Sequence, residues 1–386
     1  MNDAIVERYL RLGLQLGRHV EGVVDAYYGP AELAAAVAAE PPADPRVLVD
    51  EAEALLAQLG DGWLRDQVVG LRAYAGALAE EGQSYADEVE ACYGVRPTHT
   101  DESVFAAAHA ELEGLLPGEG TLAERYQRAR EAQRVPAEQV EQFTASVLEV
   151  AREWTHRVVD LPDGEGVDLK IVRDVPWMAF CSYRGGYRSQ IEINVDLPMP
   201  VVELLTIAAH EAYPGHHTER CAKEKALVRD RGLLEESIVL VPTPQSLIAE
   251  GIAKLAPSVL LAGGAAEELA ELARGAGIQF DLHQALAVEE AMEPCAWADV
   301  NASLMLHEEG ASDDEIRAYM ERWALMTPQI SAHVLRFMKD PTSRTYIICY
   351  PAGRALCGAW VGEDGARFRR LLSEQVRVRD LVAAPA

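Results

Sequence analysis

Thr206-Ile207-Ala208-Ala209-His210-Glu211-Ala212-Tyr213-Pro214-Gly215-His216-His217 joins an apolar helical run to three histidines and a glutamate within eight residues. A helix bearing His and then Glu can offer an imidazole to a metal and a carboxylate to metal-bound water. In the usual form the second His follows at i+4 on the same face. Here Pro214 holds that place, and histidines come at i+6 and i+7. On an unbroken helix His217 lies about 700° from His210 and about 10.5 Å along the axis, almost back in phase. Alternatively, Pro214-Gly215 breaks the helix and loops two residues out, giving His216 the second-ligand place. Proline removes a backbone donor and glycine permits unusual dihedrals. The break is the favoured expectation, with His217 kept open. A polar cluster on so buried a helix is costly unless it has a partner, which points to a zinc ion. Glu250-Gly251, about 35–40 residues on and after the apolar run Ser246-Leu247-Ile248-Ala249, offers a carboxylate of the right type for a third ligand.

Outward from this motif the chain reads as helical. In residues 1–160 apolar side chains recur at three- and four-residue steps, as in Leu48, Ala52, Leu55, Leu56 and Leu59. Breaks at Gly29-Pro30, Pro41-Pro42, Gly94 to Pro97 and Pro117-Gly118 predict antiparallel helices with short loops. Residues 161–199 differ: Asp168 to Arg173 and Gln190 to Val195 read as short strands, the second alternating Ile191, Ile193 and Val195 with polar residues, after a turn at Gly185-Gly186. This is the only clear β-structure in the sequence. Helices resume near Val201. Thr243-Pro244 opens one through Glu250, and Ser312 to Glu315 is a capping box. The expected class is mainly α, with an N-terminal helical region (1–160) and a metal-site region (161–386) in one continuous unit. The last dozen residues are expected to fray.

Composition narrows the function. With 35 basic and 62 acidic residues the formal charge is −27, which disfavours nucleic acid and anionic membrane as partners. No stretch reaches the ~18 apolar residues of a membrane span. Six scattered cysteines without a CxxC pair argue against a thiolate zinc site. They fit reduced thiols in a cytoplasm, with Cys349 and Cys357 as buried small side chains. There is no phosphate-binding GxxxxGK[ST] loop and no GxSxG elbow.

His210-Glu211-x-x-Pro214-Gly215-His216-His217 followed by Glu250-Gly251 resembles the bacterial "domain of unknown function 885" family. That family is distantly similar to the thimet oligopeptidase, angiotensin-converting enzyme and thermostable carboxypeptidase group. The likeness is carried mainly by residues 180–355. It implies long helices enclosing a zincin-like channel with a small sheet beside the metal helix. It also implies His210, His216 or His217, and Glu250 as zinc ligands and Glu211 as general base. His307 looks like the family's downstream His and Tyr350 like its later Tyr, each a candidate donor to the oxyanion. Tyr187 and the strand carrying Ile193 and Asn194 stand where the family has the strand before its metal helix, and that strand is expected to pair with an extended substrate. Two departures stand out. Ile252 and Leu255 replace an aromatic pair usual after Glu-Gly, and Asp299 stands near the place of a usual Arg. The expected activity is zinc-dependent hydrolysis of short peptides. The alternatives are hydrolysis of a small non-peptide amide or ester, and a non-catalytic helical binding protein with a vestigial site.

Overall fold

The computed structural model describes residues 3–175, 177–196, 199–278 and 280–382. The chain is predominantly helical. Its first part runs α1 (Asp3–Leu16), β1 (Val24–Tyr27), α2 (Ala31–Ala39), α3 (Pro45–Leu56), α4 (Trp63–Leu78), α5 (Tyr85–Tyr93), α6 (Glu102–Leu115), α7 (Leu122–Ala132) and α8 (Val140–Val158). Three strands follow, β2 (Gly166–Val172), β3 (Ala179–Tyr183) and β4 (Arg188–Asn194), and then α9 (Val201–Glu211), α10 (His216–Lys223), β5 (Ile238–Leu240) and α11 (Pro244–Leu260). The remainder is α12 (Ala266–Gly275), α13 (Leu282–Met292), α14 (Trp297–His307), α15 (Asp313–Trp323), α16 (Pro328–Lys339), α17 (Cys349–Val361), α18 (Gly365–Ser373) and α19 (Val378–Val382).

Local signals explain many helix starts. Thr121 and Ser312 each form a reciprocal capping box with the glutamate three residues on. Pro244 sits in the first turn of α11, but the Thr243 hydroxyl donates to the Leu240 carbonyl instead of capping the helix. That helix also runs ten residues beyond Glu250, to Leu260.

The β-structure is wider than the sequence indicates. β4 lies in the middle of a three-stranded sheet, parallel to β2 and antiparallel to β3. Far from it in sequence, β1 pairs antiparallel with β5, Val24 opposite Leu240. Strands of three to five residues carry too little alternation to stand out. Contacts cross residue 160 freely: besides the β1–β5 ladder, Arg377 forks onto Asp66 and reaches Asp61. The tail does not fray from residue 375 as expected, because α19 buries Val378 and Leu381; residues 383–386 lie outside the described residues.

At the centre is α9, which buries Val201, Val202, Leu204, Leu205, Ile207, Ala208 and Ala209. A helix apolar on every side belongs in a core, and α9 is packed between α8, α11 and the sheet. α11 crosses α17 at Gly251 and Gly353. A Cβ on Gly251 would fall 2.5 Å from the Gly353 carbonyl oxygen, and one on Gly353 would fall 2.4 Å from that of Leu247. The two backbones therefore touch, and this contact fixes the height at which Glu250 faces the end of α9. All six cysteines are buried and free, Cys349 and Cys357 among them. Among the described residues no helix is long and apolar enough to cross a membrane.

Candidate metal centre

His210 and Glu211 stand on the last turn of α9. The chain leaves helical dihedrals at Ala212 (φ −120°, ψ −82°) and is helical again from His216. Gly215 makes the return possible: its N–H donates to the Ala209 carbonyl at 2.9 Å, so close to α9 that a Cβ would lie 1.9 Å from the His210 carbonyl oxygen. The break brings His216 beside His210, with ring centroids 4.8 Å apart and planes at 89°.

Glu250 enters from α11 between the two rings. Its Oε2 is 3.4 Å from His210 Nε2 and its Oε1 is 3.3 Å from His216 Nε2. Candidate ligand atoms of the three residues all lie within 4.8 Å of one another. Two ligands of a tetrahedral zinc, each bonded at about 2.0–2.1 Å, stand about 3.3 Å apart, and imidazole with carboxylate is a donor set zinc accepts. Glu250 Oε2 is buried and has no hydrogen-bond partner among the described residues. Such an orphaned acceptor is costly unless a cation meets it. His210, His216 and Glu250 thus fit a zinc ion.

The charges respond to this proximity. Burial pushes His210 down to about 3 despite Glu250. Burial opposes the charge on His216 too, but Glu250 outweighs it and raises the ring to about 9. Glu250 is held near 2, because His216 and then His210 overcome its desolvation. Burial, aided by Glu250 and Asp25, lifts Glu211 to about 7.

Tyr346, on the short turn before α17, donates its hydroxyl to Glu250 Oε1 at 2.7 Å. Nothing in the sequence singled it out, although Tyr346 and Tyr350 are spaced to share a helical face. Outer hydrogen bonds of this kind orient a ligand. Tyr346→Phe is expected to weaken zinc binding by roughly 10–100-fold with the fold intact, as chelator competition would show.

His217 is turned away from the centre. Its Nε2 lies 2.9 Å from Glu165 Oε2 and its Nδ1 2.8 Å from Ser189 Oγ. An ionised carboxylate only accepts, so the network assigns the proton to Nε2 and leaves Nδ1 to accept from the serine. Glu165 also accepts from Tyr213 Oη (2.6 Å), Arg152 Nε (2.6 Å) and His156 Nε2 (2.9 Å). His217 is therefore an anchor for the start of α10, and of the two histidines it is His216 that faces His210 and Glu250.

Other expected site residues separate. Tyr350 lines the cavity over the histidines, and burial holds its hydroxyl protonated far above its ordinary range. His307 does not reach the cavity: its Nε2 pairs with the Met338 carbonyl at 2.9 Å and its ring stacks on Tyr85. Ile193 is fully buried, and Asn194 spends its amide on the carbonyls of Val175 and Trp177. Tyr187 lies under the Arg229 guanidinium and does not line the cavity. Because β4 is paired on both sides, it cannot take up a further strand, which removes the expected substrate contact at Tyr187, Ile193 and Asn194. Of the two departures after Glu250, Ile252 is fully buried and Leu255 packs toward Gly358 of α17; neither lines the cavity.

The cavity over the three residues measures about 210 Å³, below the roughly 300–1,000 Å³ of ordinary small-molecule sites. Asp25, Trp177, Phe180 and Arg220 complete its wall. The sequence assigned none of these four to the site; they come from three separate segments, β1, the start of β3 and α10.

A scan of family models and a search of curated proteins each return no match for this chain. Among solved structures, the chain is similar to a "putative lipoprotein" from Colwellia psychrerythraea, with a TM-score of 0.54 and 18% identity over 89% of this chain and 55% of that one. It is also similar to a "putative lipoprotein of unknown function" from Shewanella oneidensis, with a TM-score of 0.53 and 12% identity over 90% of this chain and 75% of that one. The chain spans about half the length of the Colwellia protein. Likeness at these identities shows a shared fold.

Proposed function

We propose that the chain is a zinc-dependent hydrolase of short peptides, with His210, His216 and Glu250 holding the ion and Glu211 as general base. The observation that carries this reading is the convergence of those three side chains, Glu211 and Tyr350 on one small cavity. When bound, zinc supplies an acidified water and polarises a carbonyl. Glu211 takes the proton of the attacking water on its carboxylate and passes it to the leaving nitrogen. The Tyr350 hydroxyl donates to the oxygen that gains charge.

The outer edge of β3 is the place for an extended peptide. β3 pairs only with β4 among the described strands, and it packs against α9, α10 and β1. Trp177 and Phe180, both partly exposed with ring centroids 5.7 Å apart, flank that edge and face the cavity. Main-chain pairing gives affinity there and the two aromatics favour an apolar side chain. The small sheet beside α9 supports the resemblance to helical zinc peptidases. Ile252 and Leu255, which depart from the family's aromatic pair, lie away from the cavity and so give no ground for a non-peptide substrate.

The test is Glu211→Gln. The variant is expected to retain zinc while hydrolysis of a short-peptide library slows by roughly 10²–10⁴-fold. Equal rates for variant and wild type, or absence of zinc from both, would overturn the reading.

A further inference from the structure

We infer that Arg220 anchors a free carboxylate of the substrate, so that the bond cleaved lies one or two residues from a peptide's C-terminus. This rests on the hydrolase reading of the same site. Arg220 is 5% exposed and lines the cavity beside His216 and Asp25. It follows His216 by four residues on α10, which puts both side chains on one helix face, about 6 Å apart along the axis.

Its charge is balanced by Glu219 and Asp25, but its N–H donors are poorly met. The nearest carboxylate oxygens are Glu219 Oε2 at 3.6 Å from Nη1 and Asp25 Oδ2 at 3.8 Å from Nη2, both beyond hydrogen-bond reach. Nη1 is buried without any partner among the described residues. Glu219 is already engaged by Lys223 at 2.7 Å. Elsewhere in the chain arginines close on carboxylates, as Arg152 does on Glu165 and Arg377 on Asp66. A guanidinium has five N–H donors in a flat fork, and leaving them unused in a buried wall is costly. The fork matches a carboxylate bidentately. A phosphate dianion would meet Asp25 and Glu219 at the same spot, which favours the singly charged carboxylate. One extended residue spans at most about 3.3–3.6 Å. With Arg220 and His216 about 6 Å apart along α10, a carbonyl at the three-residue centre would lie one or two residues from an anion held by Arg220, and the C-terminal carboxylate of a short peptide is the group that meets this spacing.

The experiment is calorimetric binding of a panel of N-acetyl dipeptides, each as free acid and as C-terminal amide, to the Glu211→Gln chain, which does not consume them. At least one acid is expected to bind about tenfold or more tightly than its amide. Arg220→Gln in the same background removes the difference. Arg220→Lys keeps the charge, loses the fork and gives an intermediate ratio, with circular dichroism checking the fold of each. Acids and amides that bind alike, panels that do not bind, or a preference that survives Arg220→Gln in a folded chain overturn the inference. Zinc content and Glu211-dependent hydrolysis with acid–amide parity would sink this assignment alone. A clear acid preference in a chain that holds no zinc would sink the hydrolase reading and leave the anion site.

Discussion

Gly215→Ala is expected to abolish the proposed metal centre and to destabilise the chain by roughly 3 kcal/mol or more, at or beyond the upper end of ordinary overpacking. The reason is steric. Gly215 lies against the C-terminal carbonyls of α9. A methyl there would meet the His210 carbonyl oxygen at 1.9 Å and that of Ala209 at 2.4 Å. Both oxygens belong to backbone in the middle of the core and cannot swing aside as a side-chain end would. Relief requires α10 to withdraw from α9, and His216 moves with it away from His210 and Glu250. Zinc per chain after gel filtration is expected to fall from near one to near zero, with peptide hydrolysis falling in parallel. Gly60→Ala, where a Cβ would meet nothing within 4 Å, is the matched control. A Gly215→Ala chain of native stability that retains its zinc would show that the turn is not what sets the ligand geometry.

Glu165→Gln is expected to cost roughly 1–3 kcal/mol, the usual penalty for leaving a buried donor without its acceptor. The Glu165 side chain is wholly buried and receives donors from Arg152, His156, Tyr213 and His217. Glutamine has one acceptor oxygen and a donating NH₂ group, so at least one of those donors would face another donor. Burial alone would raise Glu165, but the hydrogen bonds led by His217 prevail and hold it well below its ordinary 4.5. A carboxylate lowered in the folded state contributes stability above its unfolded value, and that contribution is lost as pH falls through the folded value. The stability gap between wild type and Glu165→Gln, taken from urea unfolding, should therefore be full at pH 7 and shrink once pH drops below about 4.5. A gap that stays constant between pH 7 and pH 3 would contradict this account. Because Tyr213 and His217 flank the turn into α10, the variant should also bind zinc more weakly.

Much of the site was legible because it depends on neighbours in sequence. Pro214 and Gly215 disfavour a continuous helix through the motif, and the observed break lies at Ala212 to Gly215, where their chemistry favours it. The apolar run before His210 marks α9 as a core helix, and Glu250-Gly251 pairs an acidic side chain with the residue that lets α11 touch α17. His307 went astray because nothing near it in sequence shows that α14 turns the ring toward Tyr85 and Met338. Glu165 gave no signal, since it lies in a loop and its donors come from α8, the motif turn and α10.

Residue order alone determined the helical class, a bias toward interrupting the histidine helix, and the kinds of side chain offered to a metal. Those follow from dihedral preference and from periodicity within single elements. Only the packed molecule decided that His216 faces Glu250 while His217 faces Glu165, that β4 is enclosed on both edges, and that Arg220 shares a cavity wall with Asp25. These pairings join segments far apart in the chain. They are settled by how closely helices approach one another, which the spacing of residues within one helix does not encode.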